Sequence, residues 1–251
     1  MERTNITILI LVIILLAIIG MILRNMMGPL DEKGYIVNSY MYVFGSLLMV
    51  VLFGALFDKY NTLEEFTVTK LFAVFMLSII SLLGIMLTPK DNQIIKHIAL
   101  FIFLLTISVS TYHIYKVASE EGILFKVLIA LAIIVLTLSF IAYTQPLGIF
   151  DGWYPYLFVG LMGLVVVQLL DIIFGDEALD SRNKLYGWVT IVLFSGLLLY
   201  DTNKLRQMSK IVIMQCQNQS QFVCTDYPTQ SLGLFLDVLN MFSGLTRVMK
   251  N

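Results

Sequence analysis

The residues able to do chemistry in this sequence are a few acidic side chains inside or beside long apolar runs. Asp237 lies within LGLFLDVLNMF, Asp201 ends the run LFSGLLLYD, and Asp171 lies just before GDE at the end of another run. An ionised carboxylate at the centre of a membrane helix costs about 2.5–3.5 kcal/mol on insertion scales, so such acids usually face a partner or a cavity. Asp237 therefore requires a partner, whereas the position of Asp171 fits the membrane interface.

Asp201 and Asp237 belong to consecutive apolar runs, which are able to pack side by side. Two carboxylates at hydrogen-bond distance cannot both ionise comfortably, so such a pair shares one proton. The pair bridges two helices while the proton is present and repels itself when both groups ionise. The alternative is that Asp201 is an interfacial residue at a helix end, beside Lys204. The spacing alone leaves both interpretations open.

Small and polar residues recur along one side of the last apolar run. A period of 3.6 residues places Gly233, Asp237, Asn240 and Gly244 on one stripe of a helix. Small residues let a neighbouring helix approach, and polar residues need a partner across that contact. We therefore expect this stripe to face the interior of a helical bundle.

The composition places the chain among membrane proteins. Of its 251 residues, 59% are hydrophobic and only 13% are charged, whereas soluble domains carry about 25% charged residues. The net charge is −1 and Lys and Arg do not cluster, so a nucleic-acid partner is not expected. Neither a Gly-rich phosphate loop nor a set of metal-ligand spacings occurs, so no cofactor or metal is predicted. His97 and His113 flank one run at opposite ends, too far apart to bind the same ion.

Eight candidate membrane spans are separated by segments rich in Pro and charged residues. Because backbone groups must pair with one another inside a bilayer, the predicted fold is all-α, a polytopic membrane bundle of helices. Residues 1–30 carry an extra transmembrane anchor, predicted to be peripheral to a domain at 31–251. Only the segment 202–229 is long enough to be a real loop. The spans lie at about 6–23, 40–57, 69–88, 95–115, 123–143, 155–175, 185–201 and 230–249.

Both cysteines, Cys216 and Cys224, lie in the polar stretch QCQNQSQFVCTD of that loop. They close a small disulfide loop if the stretch faces an oxidising lumen, and they remain thiols if it faces the cytosol. Counting Lys and Arg on the two sides of the membrane gives a near tie, so the sequence does not orient the protein. Because the stretch is polar and without periodicity, we expect it to be exposed and mobile.

Several segments resemble the Bax inhibitor family, specifically its lifeguard branch. YLFVGLMGLVVVQLLDIIFG, LYGWVTIVLFSGLLLYDTNKL and DYPTQSLGLFLDVLNMF resemble its last three helices, and TPKDNQIIKHIALF resembles the entry to its third. The most specific matches are the Tyr200-Asp201-Thr202 triplet and the segment around Asp237. The resemblance covers about residues 35–249.

The resemblance implies a seven-helix fold in which the other six helices surround a hydrophobic final helix. Members of the family are described as pH-sensitive calcium leak channels and as suppressors of cell death in internal membranes. Their paired aspartates, which correspond by motif to Asp201 and Asp237, form the pH-sensing pair. Tyr200, Thr202 and Asn240 are the supporting polar positions that the resemblance implies.

The sequence departs from the family pattern in three places. It has eight spans rather than seven, so the first would be an addition ahead of the family core. An extra piece at about 215–225 lies between the aspartates, in a loop that the family places in the cytosol, which argues against a disulfide. Some members have an arginine at the end of the second core helix that interacts with the pair. The nearest basic residue here is Lys90, which is the possible basic partner.

The leading hypothesis is a pH-sensitive cation leak channel for calcium, gated by the aspartate pair and linked to suppression of cell death. The alternative is a non-conducting scaffold or survival factor, including a viral envelope protein, that acts through cell-death regulatory proteins. An enzyme is not expected, because the Gly-x-Gly-Asp context of intramembrane proteolysis is absent around Asp237. Membrane lipid and calcium ions are the expected partners. The expected location is an internal membrane, like the endoplasmic reticulum or Golgi, or a viral membrane.

Overall fold

A computed structural model describes residues 2–26, 30–60, 63, 68–174, 180–216 and 224–250. These residues lie almost entirely in helices, which we number in chain order, and no strand occurs among them. The helices are α1 (Glu2–Met26), α2 (Glu32–Tyr60), α3 (Val68–Leu87), α4 (Gln93–Glu120), α5 (Leu124–Thr144), α6 (Tyr154–Phe174), α7 (Asp180–Gln215), α8 (Tyr227–Gln230) and α9 (Leu232–Met249), with a 3-10 turn at Asp151–Trp153.

The apolar helices confirm the predicted fold class. Within the described residues, α2, α3, α4, α5, α7 and α9 contain segments long and apolar enough to cross a membrane, and α1 contributes the shorter apolar stretch Ile8–Arg24. Helix α6 adds 21 residues of similar composition. Each of the eight predicted spans therefore corresponds to a helix. The protein is an integral, multi-pass membrane protein with a helical bundle fold.

The prediction of a single long loop at 202–229 is wrong, because α7 continues to Gln215. Leu205, Ser209, Val212 and Cys216 are all buried, and their spacing of four, three and four residues is that of one helix face. The charged residues Lys204, Arg206 and Lys210 ended the hydropathy window but not the helix. Similarly, α2 begins at Glu32, eight residues before the predicted span.

Contacts divide the chain into two compact units. The first unit comprises Met1–Lys116 and Ser209–Phe235, and the second comprises Val117–Met208 and Leu236–Asn251. In the first unit, α1 packs on α2, and α8 packs on α2 and α3. Only Leu11 and Ile18 of the described α1 side chains are buried, so most of this helix is left for lipid. The proposed division at residue 30 does not coincide with these units and stays a prediction.

The second unit contains a close approach between α7 and α9. A Cβ atom added to Gly187 would lie 2.8 Å from the carbonyl oxygen of Gly244, and one added to Gly244 would lie 2.9 Å from that of Gly187. Glycine permits such contact between membrane helices because no side chain separates their backbones. Gly244 therefore fits the predicted stripe, whereas Gly233 is exposed and does not.

We expect Gly244→Ala to destabilise the protein by about 1–3 kcal/mol, because the added methyl group overpacks a contact between two backbones. Thermal unfolding in detergent measures this loss. Gly163→Ala is the matched control, since a Cβ atom at Gly163 of α6 meets nothing within 4 Å. Equal melting temperatures for the two variants would contradict a tight contact between α7 and α9.

Candidate functional site

Asp237 is a buried acid in α9 of the second unit. Its relative exposure is 5%, and its Oδ2 atom has no hydrogen-bond partner among the residues that the structure describes. A buried polar atom without a partner costs about 1–3 kcal/mol, and more if it is charged. The unpartnered oxygen therefore indicates a neutral carboxyl group or a place for a polar ligand.

The Asp201 carboxyl group is a near neighbour of the Asp237 carboxyl group. It lies in α7, in the same unit, and is only partly exposed. A hydrogen bond between two carboxyl groups requires a proton on one of them, because an ionised carboxylate only accepts. The proton-sharing pair and the alternative of an interfacial Asp201 both stay predictions.

The position of Asp201 on α7 is fixed by residues that follow it in the helix. The Asn203 side chain donates to the carbonyl of Pro146 at 3.1 Å and accepts from the backbone N–H of Gly148 at 2.8 Å. Gly148 has φ = +80°, which glycine adopts without strain. Arg206 donates to the carbonyl of Gln145 at 2.8 Å, so α7 is anchored to the segment after α5.

The three supporting polar positions have contacts of their own. Thr202 is buried, with 1% relative exposure. Asn240 donates to the carbonyl of Leu236 at 2.8 Å, within its own helix. The Tyr200 ring packs against Tyr154, with centroids 5.2 Å apart. Asn240 and Tyr200 therefore bond to or pack against other residues, and the supporting role of the three positions stays a prediction.

The other charged candidates of the sequence are less informative. Lys90 is exposed in the first unit, and its role as a basic partner stays a prediction. Asp171 lies in α6, but its side chain is outside the described part of the chain. Among the described residues, no group of three or more His, Cys, Asp or Glu side chains is placed to hold a metal ion.

Sequence reasoning missed a buried ion pair in the first unit. No feature of the sequence singled out Lys96, but its side chain is only 2% exposed. Its Nζ donates to Asp226 Oδ2 at 2.6 Å, to Thr229 Oγ1 at 2.8 Å and to the carbonyl of Ile85 at 3.1 Å. All three ammonium protons therefore have acceptors. The only sequence signal was Asp226-Tyr-Pro-Thr229, which is typical of a capped helix start.

Neighbouring residues anchor the same segment to the first unit. Gln93 donates to the carbonyl of Thr225 at 2.8 Å, and Asn38 donates to the Tyr227 hydroxyl at 3.4 Å. Burial raises the pKa of the Tyr227 phenol, while its hydrogen bonds to Asn38 and Thr225 act in the opposite direction. The phenol therefore remains neutral over the physiological pH range, and residues 225–229 are held by both polar and ionic contacts.

The expected exposure of the cysteines is wrong, because Cys216 and Cys224 are 5% and 4% exposed. They form a disulfide with a Cα–Cα distance of 5.8 Å, which corrects the expectation from the family pattern. The residues between them lie outside the described part of the chain. The bond links the end of α7 to the segment that carries Asp226.

We expect replacement of both cysteines by serine to destabilise the protein by about 2–3 kcal/mol, as chain entropy predicts for a loop of eight residues. The same shift should follow reduction by a dithiol in detergent, and the double serine variant should no longer respond to it. Wild-type protein is taken from membranes that received no reductant and is then unfolded. Maleimide should label neither of its cysteines until the protein is reduced. Labelling without reduction would contradict the disulfide and its oxidising compartment.

The apolar helices and the buried acid Asp237 define a class, a multi-pass membrane protein with a polar residue in its helical interior. A family model described as "Inhibitor of apoptosis-promoting Bax1" matches residues 32–251. The chain therefore belongs to the Bax inhibitor family, as the resemblance implied, and α1 lies outside the matched residues. A Borreliella burgdorferi protein described as "Uncharacterized protein" is 26% identical over 214 residues, which cover 82% of this chain and 88% of that protein.

Proposed function

We propose that the protein is a pH-sensitive cation leak channel whose gate is the pair Asp201 and Asp237. The observation that supports the proposal is that a buried acid of α9, Asp237, has the acid Asp201 of α7 as a near neighbour. In the proposed closed state the two carboxyl groups share one proton, and their hydrogen bond stabilises the contact between the helices only while that proton is bound.

Loss of the shared proton supplies the opening step. As the pH rises, the second carboxyl group ionises, and two negative charges replace a hydrogen bond in a low dielectric. Their repulsion separates the two helices locally, and the burial of Asp237 strengthens that repulsion. The leak is therefore proposed to increase as the pH rises through the second ionisation of the pair.

Calcium is the proposed permeant ion. Hard divalent cations prefer oxygen ligands, and an ionised carboxylate pair offers up to four oxygens with two negative charges. The family description, which names inhibition of an apoptosis-promoting protein, supports a link to suppression of cell death.

Calcium flux from liposomes that contain the purified protein tests the proposal. The flux is measured across a pH series against protein-free liposomes of the same lipid, with an encapsulated calcium dye. We expect flux above the protein-free rate that increases with pH. A rate equal to that of protein-free liposomes at every pH would overturn the channel and leave the non-conducting scaffold.

A further inference from the structure

The first unit contains an apolar groove between α1 and α4, with α2 as its floor. Its volume is about 340 Å³. The buried residues Ile18, Gly45, Ser46, Leu100 and Leu104 line its inner part. The groove depends on α1, which lies outside the residues that match the family model. It is therefore not a feature of the matched family region alone.

The rim of the groove is open and apolar. Ile19, Leu23 and Phe101 line it with relative exposures of 44%, 53% and 48%. All three belong to apolar helices of a membrane protein, so the surrounding medium is hydrocarbon rather than water. An empty gap forfeits dispersion contacts, and water would find few polar partners among these side chains. A hydrocarbon chain is the occupant that this lining fits.

One end of the groove is polar. The Tyr42 hydroxyl lies 2.8 Å from His97 Nε2, and His97 Nδ1 lies 2.7 Å from the carbonyl of Gln93. A carbonyl only accepts, so Nδ1 carries the proton, and in the neutral imidazole Nε2 accepts from the Tyr42 hydroxyl. The Tyr42 hydroxyl and the His97 Nδ1–H group then each donate to a partner within the protein. The Tyr42 oxygen retains a lone pair, so this end of the groove accepts a hydrogen bond from a ligand.

The depth of the groove suits a chain that enters from the membrane interface. His97 lies one turn, about 6 Å, after the start of α4 at Gln93, and Leu104 lies about 10 Å deeper. A hydrocarbon chain that begins beside Tyr42 and His97 can therefore run along the lining residues as far as Leu104.

We propose that this groove binds a free fatty acid, with its single chain between α1 and α4 and its protonated carboxyl group donating to the Tyr42 hydroxyl oxygen. A low dielectric favours the neutral acid over the carboxylate, and the neutral acid is the form that donates. A diacyl phospholipid fits less well, because the ester group at the head of each of its chains carries no donor for the Tyr42 oxygen.

Displacement of a fluorescent polyene fatty acid from the purified protein in detergent tests the site. Gly45→Leu places a side chain on the floor, where even a Cβ atom would lie 3.6 Å from Ile18. We expect it to weaken binding about tenfold or more, as filling the space competes with the chain. Gly20→Leu is the matched control, because a Cβ atom at Gly20 of α1 meets nothing within 4 Å. Met49→Trp fills the groove from another lining position and should also weaken binding. The test therefore does not depend on whether Gly45→Leu folds.

A fatty acid and its methyl ester, which has no donor, separate the polar end from the apolar groove. We expect wild-type protein to prefer the acid roughly three- to tenfold, which corresponds to one hydrogen bond. Tyr42→Phe should remove this preference without changing the affinity for the ester. Equal binding by the two glycine variants would overturn the groove as the site. Equal wild-type affinity for acid and ester, or co-purification of phospholipid alone in native mass spectrometry, would overturn the fatty acid as its ligand.

Discussion

Asp237→Asn is expected to abolish the pH dependence of cation flux while the protein remains folded. Asparagine keeps a hydrogen-bond donor for Asp201, so the contact between α7 and α9 survives, but the second negative charge can no longer form. Flux should therefore stay low at every pH in the liposome measurement. Asp201→Asn should give the same flat profile, because either substitution removes the charge repulsion.

The double variant, with both aspartates replaced by asparagine, distinguishes a coupled pair from two independent sites. Because the proposed pair titrates as a unit, the double variant should have the same flat profile as either single variant. Asp151→Asn is the control, because Asp151 is an exposed acid of the same unit whose contact with Gln207 an amide can also make. A single variant that keeps the wild-type pH profile would contradict the proposed gate.

Asp226→Asn is expected to destabilise the protein by about 3–5 kcal/mol, the usual cost of removing one partner from a buried ion pair. Asparagine can still cap α8, but the Lys96 ammonium group then remains buried without its counter-charge. Thermal unfolding in detergent measures the loss. Lys96→Met should cost less, because the Asp226 side chain is 19% exposed and stays partly solvated.

The combination of Lys96→Met with Asp226→Asn tests whether the two side chains act on each other. It should be more stable than Asp226→Asn alone, since no unpaired buried charge remains. Lys90→Met is the control, because Lys90 is an exposed lysine on the segment just before α4. Two results together would contradict a stabilising ion pair in this unit. Lys96→Met and Lys90→Met would be equally stable, and the stability lost in the double variant would equal the sum of the losses in Lys96→Met and Asp226→Asn.

The spans and the fold class could be predicted because hydropathy over about 20 residues is a strong, local signal. The ends of the helices could not, because charged residues such as Lys204 and Arg206 end an apolar window whether or not the helix continues. In this chain Arg206 donates to a backbone carbonyl, so the charge is used within the fold. Hydropathy therefore located the membrane crossings but not the full length of α7.

The burial of Asp237 could be predicted, because a carboxyl group in an apolar run of a membrane helix is expected to face the interior of the bundle, whereas its pairing with Asp201 stays a prediction. Lys96 could not be assigned, since a lysine near a helix start normally reaches water and its partner lies 130 residues away in the chain. The disulfide also remained open, because the sequence gives two cysteines but not the compartment they face. Composition and periodicity do not reveal contacts between residues that are distant in the chain, or the compartment that a segment faces.

Infrared difference spectroscopy of the reconstituted protein tests the shared proton most directly. The spectrum of Asp237→Asn is subtracted from that of wild-type protein at neutral pH, where the carbonyl stretch of a protonated carboxyl group is separate from carboxylate bands. The proposal predicts a protonated-acid band in the wild type that is lost in Asp237→Asn and in Asp201→Asn. In the wild type, this band should disappear as the pH rises, over the same pH range in which the flux increases. A wild type without that band at neutral pH, or a band that survives both substitutions, would contradict a gate built on a proton shared by Asp201 and Asp237.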